Sequence, residues 1–323
     1  MSLDGLEPPE AHLAEFDPSQ DLMGRHKRMS RTARLLFLLL LSLGAATLLA
    51  NSGLLAFPVT GQAQSLRPVA AASPDIPFDD GEFETEQQLL ALANQARRAA
   101  GVPPLSVDSG LSRAARIHAQ TMLQARQLSH QFRDEPALPQ RLASTSRLLL
   151  DQEGENVALD YDALHGHEHL MLSPPHRANL LNPAYNVVGL GVVRNGDRLY
   201  IVQDFGHALP NYSSNDVKER VALAVEHKRR SFNRGQLAHR DLPGADEAAC
   251  SMAQSDKLST SSVRRLAERY TVLTYSSVHP ETLPKQAFHA LSSRNLRSFS
   301  VGTCYARSET YPSGAYWVVL SLE

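Results

Sequence analysis

Cysteine is scarce: two in 323 residues. Two thiols cannot build a disulfide framework or a four-thiolate zinc site, so one disulfide is the most they can form. Charge of one sign is also lacking. Thirty-two Lys and Arg stand against 34 Asp and Glu, a net charge of −2, and the basic excess typical of a nucleic-acid binder is absent. Glycine (18) and proline (19) are near average, which excludes collagen-like and proline-rich scaffolds. No His-Glu-x-x-His run or paired-cysteine spacing occurs, so any metal site must be assembled by the fold. Apolar residues make up 42% and charged residues 20%, a globular balance that excludes a wholly disordered chain. The length suggests about two domains.

What the chain does hold is one long apolar run. Arg25, Lys27, Arg28, Arg31 and Arg34 precede it, and no charge follows until Arg67. Leu35 to Phe57 is long enough to cross a bilayer, which takes about 20 apolar residues. The basic flank places 1–34 in the cytoplasm and the remainder outside. The reading is therefore a signal anchor at 35–57 in the inner membrane, with folded domains in the periplasm. Cleavage near Gly61 and Ala63 would instead give a secreted protein. Residues 58–82, rich in Pro, Ala, Gly and Ser, read as a flexible tether.

Helical periodicity follows. Leu89, Leu92, Ala93 and Ala96 share one face, and the pattern stops at Gly101, Pro103 and Pro104. Asp108 or Ser109 can cap a second helix bearing Leu111, Ala114, Ala115, His118, Met122 and Ala125 on one side. Residues 131–152 read as irregular. A third helix is expected at about 161–172, halted by Ser173-Pro174-Pro175, and Asn195-Gly196 joins two β-rich runs as a hairpin.

Four motifs carry the chemistry: Leu128-Ser129-His130, Gly154-Glu155-Asn156, Ser173-Pro174-Pro175-His176-Arg177-Ala178-Asn179 and Ile201-Val202-Gln203-Asp204-Phe205. Two imidazoles and a carboxylate suffice for a three-ligand zinc site with an open position, or for acid–base work near neutral pH. His118, on an apolar helix face, reads as a packing residue. His165, His167 and His169 read as solvated surface.

Together and in order, these stretches resemble the CAP (SCP-like) superfamily of cysteine-rich secretory, antigen 5 and pathogenesis-related 1 proteins, in its bacterial extracytoplasmic branch. The resemblance implies an α+β fold, a three-layer α-β-α sandwich, at 83–210. It implies a polar cleft with His130, Glu155, His176 and Gln203 as ligand-binding residues, supported by Asn156, Arg177 and Asn179. His130, Glu155 and His176 would be the catalytic set in an enzyme, or the ligands of a divalent metal such as zinc. Ser173 and Tyr200 occupy the places of a second cleft glutamate and histidine found in animal and plant members, and Pro175 replaces the motif's usual glycine.

Residues 214–323 match the first half in order. Ala114–Gln120 matches Ala248–Gln254, and the run from Val187 matches the run from Ser300. This reads as a degenerate second copy, with Thr260 set against His130 and about Arg269 against Glu155. Cys250 and Cys304 both fall in it and, outside the cytoplasm, pair as a disulfide. The function expected is ligand binding in the cell envelope: a cell-wall fragment, lipid, peptide or metal. The alternative is metal-assisted hydrolysis of peptidoglycan or protein with Glu155 as general acid or base. The partners expected are the membrane and peptidoglycan or another envelope component, and no nucleic acid.

Overall fold

The computed structural model describes residues 80–323, and the segments 1–34 and 35–57 and the tether up to residue 79 lie outside them. Helix α1 (Asp80–Ala99) begins inside the stretch read as tether. Its buried face opens with Thr85 and Glu86 before Leu89 and Ala93, so an apolar period cannot mark its first turns. After β1 (Ser106–Val107), Asp108 caps α2 (Ser109–Ala125), accepting from the Leu111 amide at 2.8 Å.

The stretch 131–152 is not irregular. It contains α3 (Leu138–Thr145) and the start of β2 (Leu149–Asp160). Two helical turns hold too few apolar residues to show a period, and the middle of β2 is the polar run Asp151–Glu155. Helix α4 (Ala163–Leu172) is capped by Asp162, and Ser173-Pro174-Pro175 divides it from α5 (Pro174–Leu180). Proline, a barrier inside a helix, fits its first turn. Strands β3 (Val187–Asn195) and β4 (Arg198–Leu209) form the expected hairpin.

These strands make one sheet in the order β1-β3-β4-β2, with β1 parallel to β3 and the other pairs antiparallel. Leu89, Leu170 and Leu180 of α1, α4 and α5 pack on Leu190, Ile201 and Phe205 on one side. Ala115, Ala119 and Met122 of α2 pack on Val157, Tyr200 and Val202 on the other. The result is helix, sheet, helix.

A second module follows: α6 (Ser214–Ser231), β5 (Ala238–His239), α7 (Ala245–Gln254), α8 (Arg264–Ala267), β6 (Thr271–Ser277), α9 (Lys285–Ser292), β7 (Ser298–Ala306) and β8 (Ala315–Leu322). Its sheet runs β5-β7-β8-β6, again with only the short first strand parallel. Helices α6 and α9 cover one face, while α7 and α8 cover the other. Cys250 of α7 and Cys304 of β7 are joined by a disulfide, with Cα atoms 5.0 Å apart.

Three details recur at matching places. Arg97, buried near the end of α1, donates to the carbonyls of Pro103 (2.7 Å) and Leu180 (2.9 Å); Arg229, near the end of α6, donates to those of Gly235 (3.2 Å) and Leu291 (2.9 Å). Gly191 lies under Ala115 and Gly302 under Ala245, so close that a Cβ on either glycine would meet helix backbone. The amide after left-handed Arg126 reaches Met122 O at 3.1 Å, and the amide after left-handed Asp256 reaches Met252 O at 3.1 Å. By position, then, Ala245 answers to Ala115, Met252 to Met122 and Gly302 to Gly191. The sequence match sets Ala248 against Ala114 and Ser300 against Val187, four residues along the helix and two along the strand from this positional pairing, displacements that keep the same face inward. By strand register, Val272 stands at the place of Glu155 and Ser321 at that of Asp204.

The modules interlock. Leu149 and Leu209 pack into the second core. Ser313 Oγ donates to Leu150 O at 2.9 Å, and the Tyr212 amide donates to Tyr316 Oη at 2.7 Å. Asp151, at a bulge in β2, joins His207 Nδ1 (2.6 Å) to His279 Nε2 (2.9 Å).

Candidate functional site

Glu155 and Asn156 are neighbours on β2 and therefore face opposite sides of the sheet. Each side carries its own polar network.

The Glu155 side lies under α2 and α3. Directly across in register is Asp204, also buried. Arg141 of α3 donates through Nη2 to Glu155 Oε2, and through Nη1 to the His130 carbonyl at 3.1 Å. The same Nη1 lies 3.2 Å from Glu135 Oε2. His118, fully buried on α2, places Nδ1 2.7 Å from Glu135 Oε1 and Nε2 2.9 Å from Ser129 O. His130 closes the network at the surface, with Nδ1 2.9 Å from Glu155 Oε1 and a side chain 56% exposed. Burial, and next the Glu155 charge, hold the Asp204 carboxyl well above the usual carboxylate range.

The Asn156 side is a chain of carboxamides. Asn156 Nδ2 donates to Gln203 Oε1 at 3.2 Å and to His176 O at 3.1 Å. Asn179 Nδ2 donates to Asn156 Oδ1 at 3.0 Å and Glu155 O at 3.1 Å. This stitches α5 to β2 and sets His176 beside His130, ring centroids 6.3 Å apart. Burial, then the neighbouring His130, lowers the affinity of His176 for a proton.

The residues expected from sequence therefore divide. His130, Glu155 and His176 come together. Gln203 does not reach the surface: it is fully buried and orients Asn156. Arg177 is exposed and outside both networks, while Asn156 and Asn179 tie α5 to β2 by hydrogen bonds. The three-ligand metal reading does not fit this geometry. Both Glu155 oxygens are held by N–H donors, and among the described residues no three His, Cys, Asp or Glu side chains gather as a cation site. His165 and His169 bind separate aspartates, Asp162 and Asp160, and His167 turns inward and is buried. Sequence reasoning missed Glu135 and Arg141, which lie in the supposed irregular stretch. His118, read as packing, is buried and also belongs to the Glu155 network, as does Asp204.

Residues 90–205 match the cysteine-rich secretory protein family, CAP. They form a CAP domain. Every residue of both networks lies within it. The domain is similar to a membrane protein of Bacillus subtilis, YlbC, with 33% identity over 122 residues, 38% of this chain and 34% of that one. It is also similar to the B. subtilis protein YkwD, with 30% identity over 112 residues, 34% of this chain and 43% of that one. The match thus spans less than half the length of either relative. A crystal structure of an extracellular SCP-domain protein from Bacillus anthracis aligns at 26% identity and a TM-score of 0.37, covering 41% of this chain and 44% of that one. Among the described residues no helix is long and apolar enough to cross a membrane.

Proposed function

We propose that the CAP domain is a binding module of the cell envelope, and that His130 and His176 present its ligand-reading surface to an oxygen-rich cell-wall fragment or peptide. The observation that carries this is the state of Glu155. Its two oxygens are each held by a nitrogen donor, of Arg141 and His130, and its side chain is buried, so the carboxylate faces its own network rather than the solvent side of the cleft. It is an anchor for the His130 ring. The ring's outer edge stays exposed, beside a second imidazole that burial keeps short of protons. Together the two ring edges offer hydrogen bonds to an oxygen-rich ligand.

On this reading the apolar run at 35–57 anchors the chain in the inner membrane and 58–79 tethers the modules on the periplasmic side. The Bacillus relatives, described as a membrane protein and an extracellular protein, support that placement. The second module is a degenerate copy of the same fold, supported by its strand order and the recurring Arg97/Arg229 and Gly191/Gly302 positions. Val272 and Ser321 replace the acid pair there, so that site is silent.

A hydrolase is the second reading, favoured by one contact. A carboxylate on Nδ1 is what holds an imidazole in place as a general base. In that reading His130, not Glu155, would take the proton.

The test uses the full chain with purified peptidoglycan sacculi, beside His130→Ala and His176→Ala. Co-sedimentation that both variants lose, with no released fragments by mass spectrometry, supports the binding module. Fragments released by wild type but not by His130→Ala would replace it with the hydrolase. Equal sedimentation of all three would remove the site altogether.

A further inference from the structure

The second module has a cavity where the first is filled. Helix α2 begins at Ser109, but α7 begins at Ala245, the counterpart of Ala115. The stretch Ser109–Ala114 has no helical counterpart. In the CAP domain it lays Leu111 and Ala114 against Leu142 and Leu150. In the second module a non-helical segment, Arg240–Pro243, passes there instead and leaves a cavity of about 260 Å³.

Its lining is polar, and no side chains like Leu111 and Ala114 lie over it. Ser300 of β7 and Ser321 of β8 stand opposite each other in register, 5% and 1% exposed, and neither hydroxyl has a hydrogen-bond partner. Their counterparts by register are Gly189 and Asp204. A buried hydroxyl without a partner is unfavourable, and two of them bordering one cavity point to a group that enters it and answers them. Above them are donors from Arg240 and Arg269, acceptors from Asp241 and Glu323, and the ring of Tyr270. A small anion would meet two carboxylates there, and a small cation two guanidiniums. A neutral molecule dense in hydroxyls can satisfy both kinds at once, because each of its hydroxyls donates and accepts. The volume lies below the range of drug-sized pockets, about 300–1,000 Å³, and suits a single ring.

We propose that this cavity is a second binding site, independent of His130 and His176, for one saccharide ring.

The experiment is saturation-transfer NMR on the full chain with N-acetylglucosamine, repeated with inorganic sulfate as competitor. The variants are Ser300→Ala, Ser321→Ala and Arg269→Ala, with His130→Ala as the control at the other site. Thermal melting confirms that each is folded, and the serine variants remove an unpaired hydroxyl and retain the fold. The expected result is sugar signal in wild type and His130→Ala. Affinity should fall about tenfold in Ser300→Ala or Arg269→Ala, the equivalent of one lost hydrogen bond to a charged or buried group, with no displacement by sulfate. The proposal is overturned if wild type gives no sugar signal, if the signal survives all three cavity variants, if it disappears in His130→Ala, or if sulfate displaces it and so marks an anion site.

Discussion

Glu155 and Asp204 face each other across β2 and β4, yet only Glu155 has a cation in hydrogen-bonding contact. Two buried carboxyls this close cannot both ionise at little cost. Burial first, and the Glu155 charge second, put the proton on Asp204, whose oxygens meet no donor of their own. The native state thus holds a proton at a pH where the unfolded chain, titrating near 3.8, has lost it.

The pH dependence follows by sign. A raised native value contributes stability at acid pH that is lost as pH rises from about 3.8 through the native value. Asp204→Asn keeps a donor toward Glu155 and removes the titration. Melting temperatures of wild type and variant across this range should therefore diverge, with the variant gaining on wild type as pH rises. A constant gap at every pH would show that Asp204 does not titrate between the two states.

Arg141 is the sole arginine or lysine paired with the buried acids of the site among the described residues, touching both Glu155 and Glu135. Removing it leaves carboxylates buried without their counter-charge. Arg141→Ala should destabilise the fold by about 3–5 kcal/mol, the usual result of breaking a buried pair. Arg141→Met with Glu155→Gln should recover a good part of that loss, since the two residues act as a unit. Denaturant unfolding of Arg141→Met, Glu155→Gln and the double gives the coupling energy, and additive effects would mean the pair is not coupled.

Much of this was legible in sequence and some was not, for physical reasons. The face of α2, the Asp108 cap and the β3–β4 hairpin show because apolar spacing and turn chemistry are local. His130, Glu155 and His176 show because each sits in a short motif. Arg141 does not, because a two-turn helix has no period and a buried arginine looks like a solvated one until its partners are placed. Gln203 and Asp204 are adjacent on β4, and alternation sends one to each network. Which one faces Glu155 depends on the register with β2, a strand the sequence hides under Asp151–Glu155.

His176 should titrate below the ordinary histidine value of about 6.5. Burial is the larger cause and the His130 charge the smaller, so His130→Gln should move the midpoint up without restoring it fully. Because the native value is depressed, acidification through 6.5 toward that midpoint protonates the unfolded chain first and destabilises the fold. Imidazole carbon-bound proton shifts followed against pH in both proteins read this directly. A midpoint unmoved by His130→Gln would mean that the rings do not sense each other across 6.3 Å.

The second module reaches the site through Arg307. Its guanidinium donates to Ala143 O at 2.9 Å and Ser146 O at 2.7 Å, the open carbonyl end of α3. A helix C-terminus carries unsatisfied carbonyls and partial negative charge, and a cation there answers both. Because α3 carries Arg141, Arg307 steadies the guanidinium that neutralises Glu155. Arg307→Ala should cost about 1.5–3 kcal/mol, the range for hydrogen bonds to a charged group. Lysine restores the charge but not the fork that spans two carbonyls, so Arg307→Lys should recover only part of it. Hydrogen exchange separates this from a general loosening: amides of α3 should exchange faster in Arg307→Ala while those of α1 and α2 hold. Uniform acceleration across the CAP domain would assign Arg307 to the module junction alone and leave Arg141 to stand without it.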